Sequence, residues 1–543
     1  MRPGVGPFDR CSIDYLVQHL LQTQAQRAPD REALVEGATK LTYTEVETLS
    51  NRLANALQEM GVRRGDRVAT FFRKSIDEVI AVFGILKAGA VFVPVNPLLL
   101  PPQISHILND CRVTAVITDP ASLGFLKEAF ETVDSLRFVL SRGPGGAPEE
   151  RWRSLDLAPI LAGENDDPPR DLCLSIDLAS IIYTSGSTGR SKGVMLSHGN
   201  ILASARLGSS YLANTPEDRI LSILPFSFDY GLFQLMSAFL HGATLVLCRF
   251  RFSTEIVDLL LRERISGMGG VPTLWALLTE KRSALHQHKF PHLRYVTNSG
   301  AALPQAVLRA LRAALPETRV YLMYGMTEAF RTSFLPPEEI DRRAGSIGKP
   351  LPDVEVYLVD DRGEPCAPGE IGELVHRGPT VSLGYWGQPE ATDRVFRPDP
   401  FAPPELRHVE KVYYSGDLVK MDADGFLYFI GRRDAQLKCS GYRVSPTEVE
   451  EVLYDTGLLR EVAVIGIPDE LLGHTIRAFV APRDGKEVRV DVLMDICGRS
   501  MPRYMIPRRI DILDELPKTG SGKIDYPLLR LRASTPEEPR GND

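Results

Sequence analysis

Apolar and polar positions along the chain change period repeatedly. "EVETLSNRLANALQEMG" (45–61) places its apolar residues at helical spacing, "DRVATFF" (66–72) is a short apolar run, "DEVIAVFGILKAG" (77–89) is helical again, and "AVFVPV" (90–95) is a second strand. Strands alternating with helices predict a parallel sheet of the doubly wound kind. The theme returns at "TAVITD", "RFVLS", "ASIIYT", "RILSILP" and "TLVLC", while "RGPGGAPEE" (142–150) and "GENDDPPR" (163–170) are loops by composition. "DVEVYLVDDRGEPCAPGEIGELVHRG" (353–378) alternates strand patterns with turn residues and predicts a small, mostly β subdomain. After "GFLYFIGRRDAQLK" a last unit contains a helix, "SPTEVEEVLYD", and two strands, "VAVIGIP" and "IRAFVAP". The expected fold is therefore α/β. Residues 1–433 form a large N-terminal domain of doubly wound mixed sheets with the β subdomain, and residues 434–543 form a small, mobile α+β C-terminal domain.

Bulk properties narrow the function. A chain of 543 residues exceeds one ordinary domain. A net charge of −7 and a pI near 5.9 supply no basic footprint for nucleic acid or an anionic membrane. The 7 cysteines form no CxxC pair, which argues against zinc and a disulfide framework and fits a reducing cytosol. The N-terminal residues lack an apolar signal core, and Lys87, Gln234 and His241 interrupt the most apolar stretches. The expectation is a cytoplasmic protein without a membrane span, monomeric or homodimeric.

The candidate chemistry begins at "TSGSTGRSKG" (184–193), which follows the strand-like "LASII" and precedes the helix-like "SHGNILASARL". Glycines let backbone N–H groups converge, and hydroxyls with a lysine complete an oxyanion cradle. Composition alone equally suits a polar loop between a strand and a helix. The loop has company, however: "YGMTEA" (324–329), "YYSGDL" (413–418), "GRRDAQLKCSGYRVSPTEVE" (431–450) and "LPKTGSGKID" (516–525) follow it.

These five ordered motifs, spanning nearly the whole chain, resemble the adenylate-forming superfamily of acyl-CoA synthetases, adenylation domains and luciferases. The resemblance implies ATP and Mg²⁺ as cofactors. It implies that Thr184, Ser185, Ser187, Thr188 and Lys192 hold the β- and γ-phosphates, that Tyr324 stacks on adenine, and that Thr327 bonds the α-phosphate. Glu328 would hold Mg²⁺, a hard cation suited to carboxylate and phosphate oxygens. Asp417 would accept from the ribose hydroxyls beside Arg432. Lys523 would reach both the substrate carboxylate and the α-phosphate, where negative charge builds during in-line attack; with Thr327 and Glu328 it forms the implied catalytic set. Each also has a plainer reading: Tyr324 as packing, Asp417 as a turn residue, Lys523 as a solvated lysine.

The implied reaction has two halves: a carboxylate attacks the α-phosphorus to give an acyl-adenylate and pyrophosphate, then a nucleophile displaces AMP. Between them the C-terminal domain would turn about a hinge at Asp434, bringing Lys438 and Gly441 to a thiol channel. The acid pocket is implied at Asp229, Tyr230, Phe233, Gly300, Met323 and Arg331, with bulky walls that suit a small or ring-shaped acid. Asp229 matches the aspartate that pairs with the α-amino group in amino-acid-activating domains; the backbone, a neighbouring hydroxyl such as Ser227, or Arg331 would satisfy it equally. Arg331 has the further option of binding a second carboxylate. Within the superfamily the chain resembles free-standing ligases that load proline onto a carrier protein, and acyl-CoA ligase-like proteins of exosortase clusters. The expected function is activation of a small acid, L-proline first, and transfer to a phosphopantetheine thiol supplied in trans by a carrier protein or CoA. The alternatives are an acyl-CoA synthetase for a fatty or aryl acid, an amide-forming ligase, and a non-catalytic binder.

Overall fold

The computed structural model describes residues 13–143, 151–184, 191–406, 410–433, 437–439, 442–469, 473–501, 503–520 and 522–534. A seven-stranded sheet runs in the order Arg153–Asp156, Phe138–Ser141, Ala115–Thr118, Arg67–Phe71, Val91–Pro94, Leu178–Thr184, Lys192–Ser197. Its strands are parallel except the last. Ala115–Thr118 and Val91–Pro94 are buried along their whole length, as continuous apolar runs in a covered parallel sheet should be.

A second, fourteen-stranded sheet has a parallel half through Thr244–Leu247, Arg219–Ser222, Gly267–Gly270, Tyr295–Asn298 and Arg319–Met326. It continues antiparallel through Ala329–Leu335, Ser346–Pro350, Leu427–Arg432, Lys411–Met421, Ile371–Arg377 and Glu355–Val359. The expected β subdomain is thus the antiparallel end of this sheet. Its own small core is built from residues such as Leu351, Val356, Leu374, Val419 and Leu427.

The Ile76–Lys87 and Asp229–His241 helices are buried almost all round. They fill the space between the two sheets, which explains why their sequences lack a polar face. One core joins Val68 and Phe92 of the first sheet to Leu34, Ile220 and Leu245 of the second through Phe83, Leu232 and Phe239. The Phe83 and Phe239 rings stack with centroids 5.0 Å apart. Burying each such phenylalanine contributes about 1.5–3 kcal/mol. The Asp229–His241 helix stops at Gly242, whose φ of 70° is the left-handed cap that glycine adopts without strain.

One local expectation needs correction. The sequence reading runs from the 184–193 loop directly into a helix, whereas the structure inserts the strand Lys192–Ser197, antiparallel to Leu178–Thr184 with Thr184 opposite Lys192. The two strands are therefore paired neighbours, and residues 185–190 between them lie outside the described residues. The helix starts only at His198, closed by a reciprocal Ser197–Asn200 capping box. Four apolar residues, "GVML", carry too little period to declare a strand. Pairing decides it: Met195 N–H donates to the Gly384 carbonyl on the far side, and Val194 bridges Tyr385.

The C-terminal unit has its own five-stranded sheet, comprising Leu437–Cys439, Tyr442–Val444, Leu459–Asp469, Gly473–Pro482 and Arg509–Ile512. Its core includes Val449, Leu453, Val462, Val464 and Leu493. Asp434 lies outside the described residues. Among the described residues no helix is long and apolar enough to cross a membrane.

Candidate active site

Three groups of the expected residues come together around the antiparallel half of the large sheet, and a fourth joins them from the C-terminal unit. The first centres on Asp417. The strand Lys411–Met421 sets Asp417 opposite Arg432 in register. Arg432 Nη1 donates to its Oδ1 at 2.7 Å, and the Tyr324 hydroxyl donates to its Oδ2 at 2.5 Å. Asp417 is buried, so an ionised carboxylate there needs these donors. Burial, and then the adjacent charge of Asp417, pushes the Tyr324 phenol well above its ordinary range, so Tyr324 remains a donor.

The second group centres on Glu328. Thr327 and Glu328 form the tip between Arg319–Met326 and Ala329–Leu335, where Met326 pairs with Ala329. Tyr385 donates from its hydroxyl to Glu328 Oε1 at 2.8 Å, and the Lys192 ammonium lies 5.0 Å from the Tyr385 ring centre. Burial raises the Glu328 carboxyl above its ordinary range, opposed by the Tyr385 hydrogen bond. Ser185, Ser187 and Thr188 lie outside the described residues, whereas Thr184 and Lys192 frame that loop. Among the described residues no group of three or more His, Cys, Asp or Glu side chains could hold a metal. A partly buried carboxylate linked through Tyr385 to the Lys192 ammonium fits Mg²⁺, which is held by one or two carboxylates together with substrate phosphates. Sequence reasoning missed Tyr385: "LGYWGQ" (383–388) contains no charge and its spacing marks nothing.

The third group surrounds the start of the Asp229–His241 helix. Asp229 occupies its first turn, buried, with Oδ1 accepting from the Tyr230 backbone N–H at 2.8 Å. The Asp229–Arg331 ion pair left open by the sequence is not formed. Arg331 instead places its guanidinium 4.1 Å from the Phe233 ring centre and 4.8 Å from that of Tyr230. The Tyr230 hydroxyl pairs with Thr297, and Met323 sulfur accepts from the Tyr211 hydroxyl at 2.6 Å. Tyr230 and Phe233 also line a cavity of about 10 Å³ with Leu212, Gln234 and Thr297.

Lys523 completes the arrangement from the C-terminal unit. Its ammonium sits 5.2 Å from the ring centre of Phe228, the residue before Asp229. Gly300 has φ +88°, and a Cβ there would stand 3.3 Å from Phe228 and 3.8 Å from Lys523 Cε. Asn96 donates a hydrogen bond to the Gly520 carbonyl, fastening the lysine's turn to the large domain. Phe228 and Asn96 are further residues the sequence did not single out. Lys438 stands on the Leu437–Cys439 strand, while Gly441 lies outside the described residues.

Residues 21–386 match the AMP-binding enzyme family and residues 448–523 its C-terminal domain. The chain is 31% identical to a long-chain-fatty-acid–CoA ligase of Salmonella typhimurium, covering 96% of this chain and 94% of that protein. It is 34% identical to a feruloyl-CoA synthase of an Amycolatopsis species, covering 94% and 97%. Among solved structures it is similar to an anthranilate CoA ligase in complex with anthranoyl-AMP, with a TM-score of 0.86, 29% identity and coverage of 96% and 97%. It is also similar to o-succinylbenzoate coenzyme A synthetase from Bacillus subtilis in complex with ATP and magnesium ion, with a TM-score of 0.78, 27% identity and coverage of 93% and 98%. The chain belongs to the AMP-binding enzyme family and is an ATP-dependent, AMP-forming ligase.

Proposed function

We propose that this ligase activates a small, ring-shaped acid bearing an amine, with L-proline the first candidate, and passes the acyl group to a thiol. One observation carries the reading: the buried Asp229 carboxylate accepts from the neighbouring Tyr230 N–H and has no cationic side chain paired with it among the described residues. A buried charge is costly unless paired, and a substrate ammonium supplies the partner.

In this reading Thr184 and Lys192, with Ser185, Ser187 and Thr188, hold the β- and γ-phosphates. Glu328, braced by Tyr385, holds Mg²⁺, which would spread the charge of the departing pyrophosphate. Thr327 bonds the α-phosphate. Tyr324 presents its ring to adenine while its hydroxyl, with Arg432, fixes Asp417 for the ribose hydroxyls. Lys523, beside Phe228 and Gly300, draws the substrate carboxylate and the α-phosphate together and offsets charge as the new bond forms. The second half-reaction uses the same chain turned about Asp434, with Lys438 and Gly441 beside the thiol. A thiol acceptor, CoA or the phosphopantetheine of a carrier protein, draws support from relatives named as CoA ligases.

An aryl acid is the second reading, favoured by the aromatic Tyr230 and Phe233 and by the anthranilate and feruloyl relatives. Pyrophosphate exchange over amino, imino, aryl and fatty acids, with hydroxylamine trapping of the adenylate, separates the two. Exchange with an aryl or fatty acid exceeding that with every amino and imino acid would overturn the amine reading.

A further inference from the structure

The cation among the expected acid-site residues is Arg331. It is 3% exposed, and both Nε and Nη2 are buried without an acceptor. Asp229, the obvious counter-charge, does not take it, and the rings of Phe233 and Tyr230 flank it. Cation–π contact eases the burial of a guanidinium but gives its N–H groups no acceptor in the plane of the fork. Buried donors without partners are rare in native proteins, and an arginine fork is shaped for two-point binding of a carboxylate.

Other groups in the same condition lie on the elements that carry Tyr230, Phe233 and Thr297. Ser227 Oγ, Gln234 Oε1 and Asn298 Oδ1 are likewise buried without partners. Ser227 and Gln234 flank the start and middle of the helix that contributes Asp229, Tyr230 and Phe233, and Asn298 ends the strand that leads to Gly300. Side chains left unsatisfied together on the elements around one site point to a polar ligand that completes them. Hydrogen bonds elsewhere in this region are closed, as between Tyr230 and Thr297 and between Tyr211 and Met323.

We propose that Arg331 is the receptor for a second carboxylate on the substrate, so that the enzyme activates one carboxyl group of a small dicarboxylic acid while Arg331 holds the other. This rests on reading the Phe228–Phe233 segment as the wall of the acid site; with Asp229 also binding an amine, the preferred substrate is an amine-bearing dicarboxylic acid, such as a carboxylated proline, rather than L-proline itself. A site built around a buried cation rejects an acid that leaves the cation unpaired far more strongly than apolar walls reject one methylene.

The test is pyrophosphate exchange with a ring-matched quartet: cyclopentanecarboxylate, cyclopentane-1,3-dicarboxylate, L-proline and pyrrolidine-2,4-dicarboxylate. Benzoate with isophthalate and butyrate with succinate extend the comparison to other shapes. The second carboxylate should raise kcat/KM by roughly 10²–10³-fold within at least one pair. Arg331→Met should collapse that ratio towards unity, and Arg331→Lys should restore part of it. Calorimetric binding of the preferred dicarboxylate to the wild-type enzyme, lost in Arg331→Met, supplies a readout that does not depend on turnover. The amine comparison tests Asp229 and the carboxylate comparison tests Arg331, so the two readings fail separately. The proposal is overturned if no pair favours the dicarboxylic acid, if Arg331→Met preserves the preference, or if none of the dicarboxylic acids is exchanged or bound.

Discussion

The Lys523 ammonium lies 5.2 Å from the centre of the Phe228 ring, so a turn of the C-terminal unit reaches the residue that caps the Asp229–His241 helix in the large domain. The described residues offer this ammonium no ion pair, and Gly300 provides the space beside it. A cation held next to the start of a helix that also carries Asp229 is placed to act on a carboxylate approaching that helix.

Removing it should affect one half of the reaction. Lys523→Ala is expected to lower adenylate formation, followed by pyrophosphate exchange, by roughly 10²–10³-fold. Transfer to a thiol from synthetic acyl-adenylate should fall much less. Equal losses in the two assays would refute a role confined to adenylation.

Gly300 has a left-handed φ of +88° and faces both Phe228 and Lys523. Gly300→Ala therefore adds backbone strain of about 1 kcal/mol and a Cβ 3.3 Å from the Phe228 ring, which must shift beneath the lysine. The expected outcome is a modest fall in melting temperature together with a larger loss in exchange rate. A variant with wild-type exchange kinetics would show that this packing is not needed.

Tyr385 donates to Glu328 and faces Lys192, joining the carboxylate proposed to hold Mg²⁺ to a cation proposed to hold phosphate. Tyr385→Phe keeps the ring and removes the donor. The Mg²⁺ concentration giving half-maximal exchange should rise about 10-fold, as when the supporting partner of a ligand is deleted. An unchanged Mg²⁺ titration would separate Glu328 from the metal.

Asp229→Ala should erase the preference for L-proline over cyclopentanecarboxylate. Breaking a buried charge pair costs about 3–5 kcal/mol, more than the apolar walls can restore. Competition between the two acids in one exchange assay measures the ratio directly, and a ratio unaltered by the substitution would assign Asp229 to the helix terminus alone.

A pH effect is expected in the C-terminal unit. Burial raises Glu450 from an ordinary carboxylic value to about 7, against the pull of hydrogen bonds from the Val464 N–H and the Tyr526 hydroxyl. The folded state thus keeps a proton that the unfolded chain releases. Its contribution to stability is complete below the unfolded value of 4.5 and is lost as pH rises to about 7. Denaturant titrations across this window should show wild-type stability declining relative to Glu450→Gln by at most about 3 kcal/mol. Parallel curves for the two proteins would contradict this.

Most strands of the two large sheets are legible because a doubly wound sheet buries short apolar runs between helices, and "AVFVPV", "TAVITD" and "TLVLC" are such runs bounded by polar turns. The strand Lys192–Ser197 was hidden because its identity rests on partners at Leu178–Thr184 and Gly384, distant in spacing or in sequence. Tyr385, Phe228 and Asn96 were hidden for the same reason. A tyrosine, a phenylalanine and an asparagine are ordinary residues until folding sets them against Glu328, Lys523 and Gly520.

The sequence alone determined the chemistry that depends on residue type in order: a hydroxyl- and glycine-rich loop, a Thr-Glu tip, an aspartate after a glycine, and a lysine near the C-terminus. Such motifs are local, and their atoms have the right character in any fold that presents them. Only the tertiary structure decided which charges meet. It joined Asp417 to Arg432 and Tyr324, kept Arg331 apart from Asp229, and brought Lys523 to Phe228. Electrostatic pairing falls off over a few ångströms and depends on burial, and neither distance nor burial between remote segments is written in the order of residues.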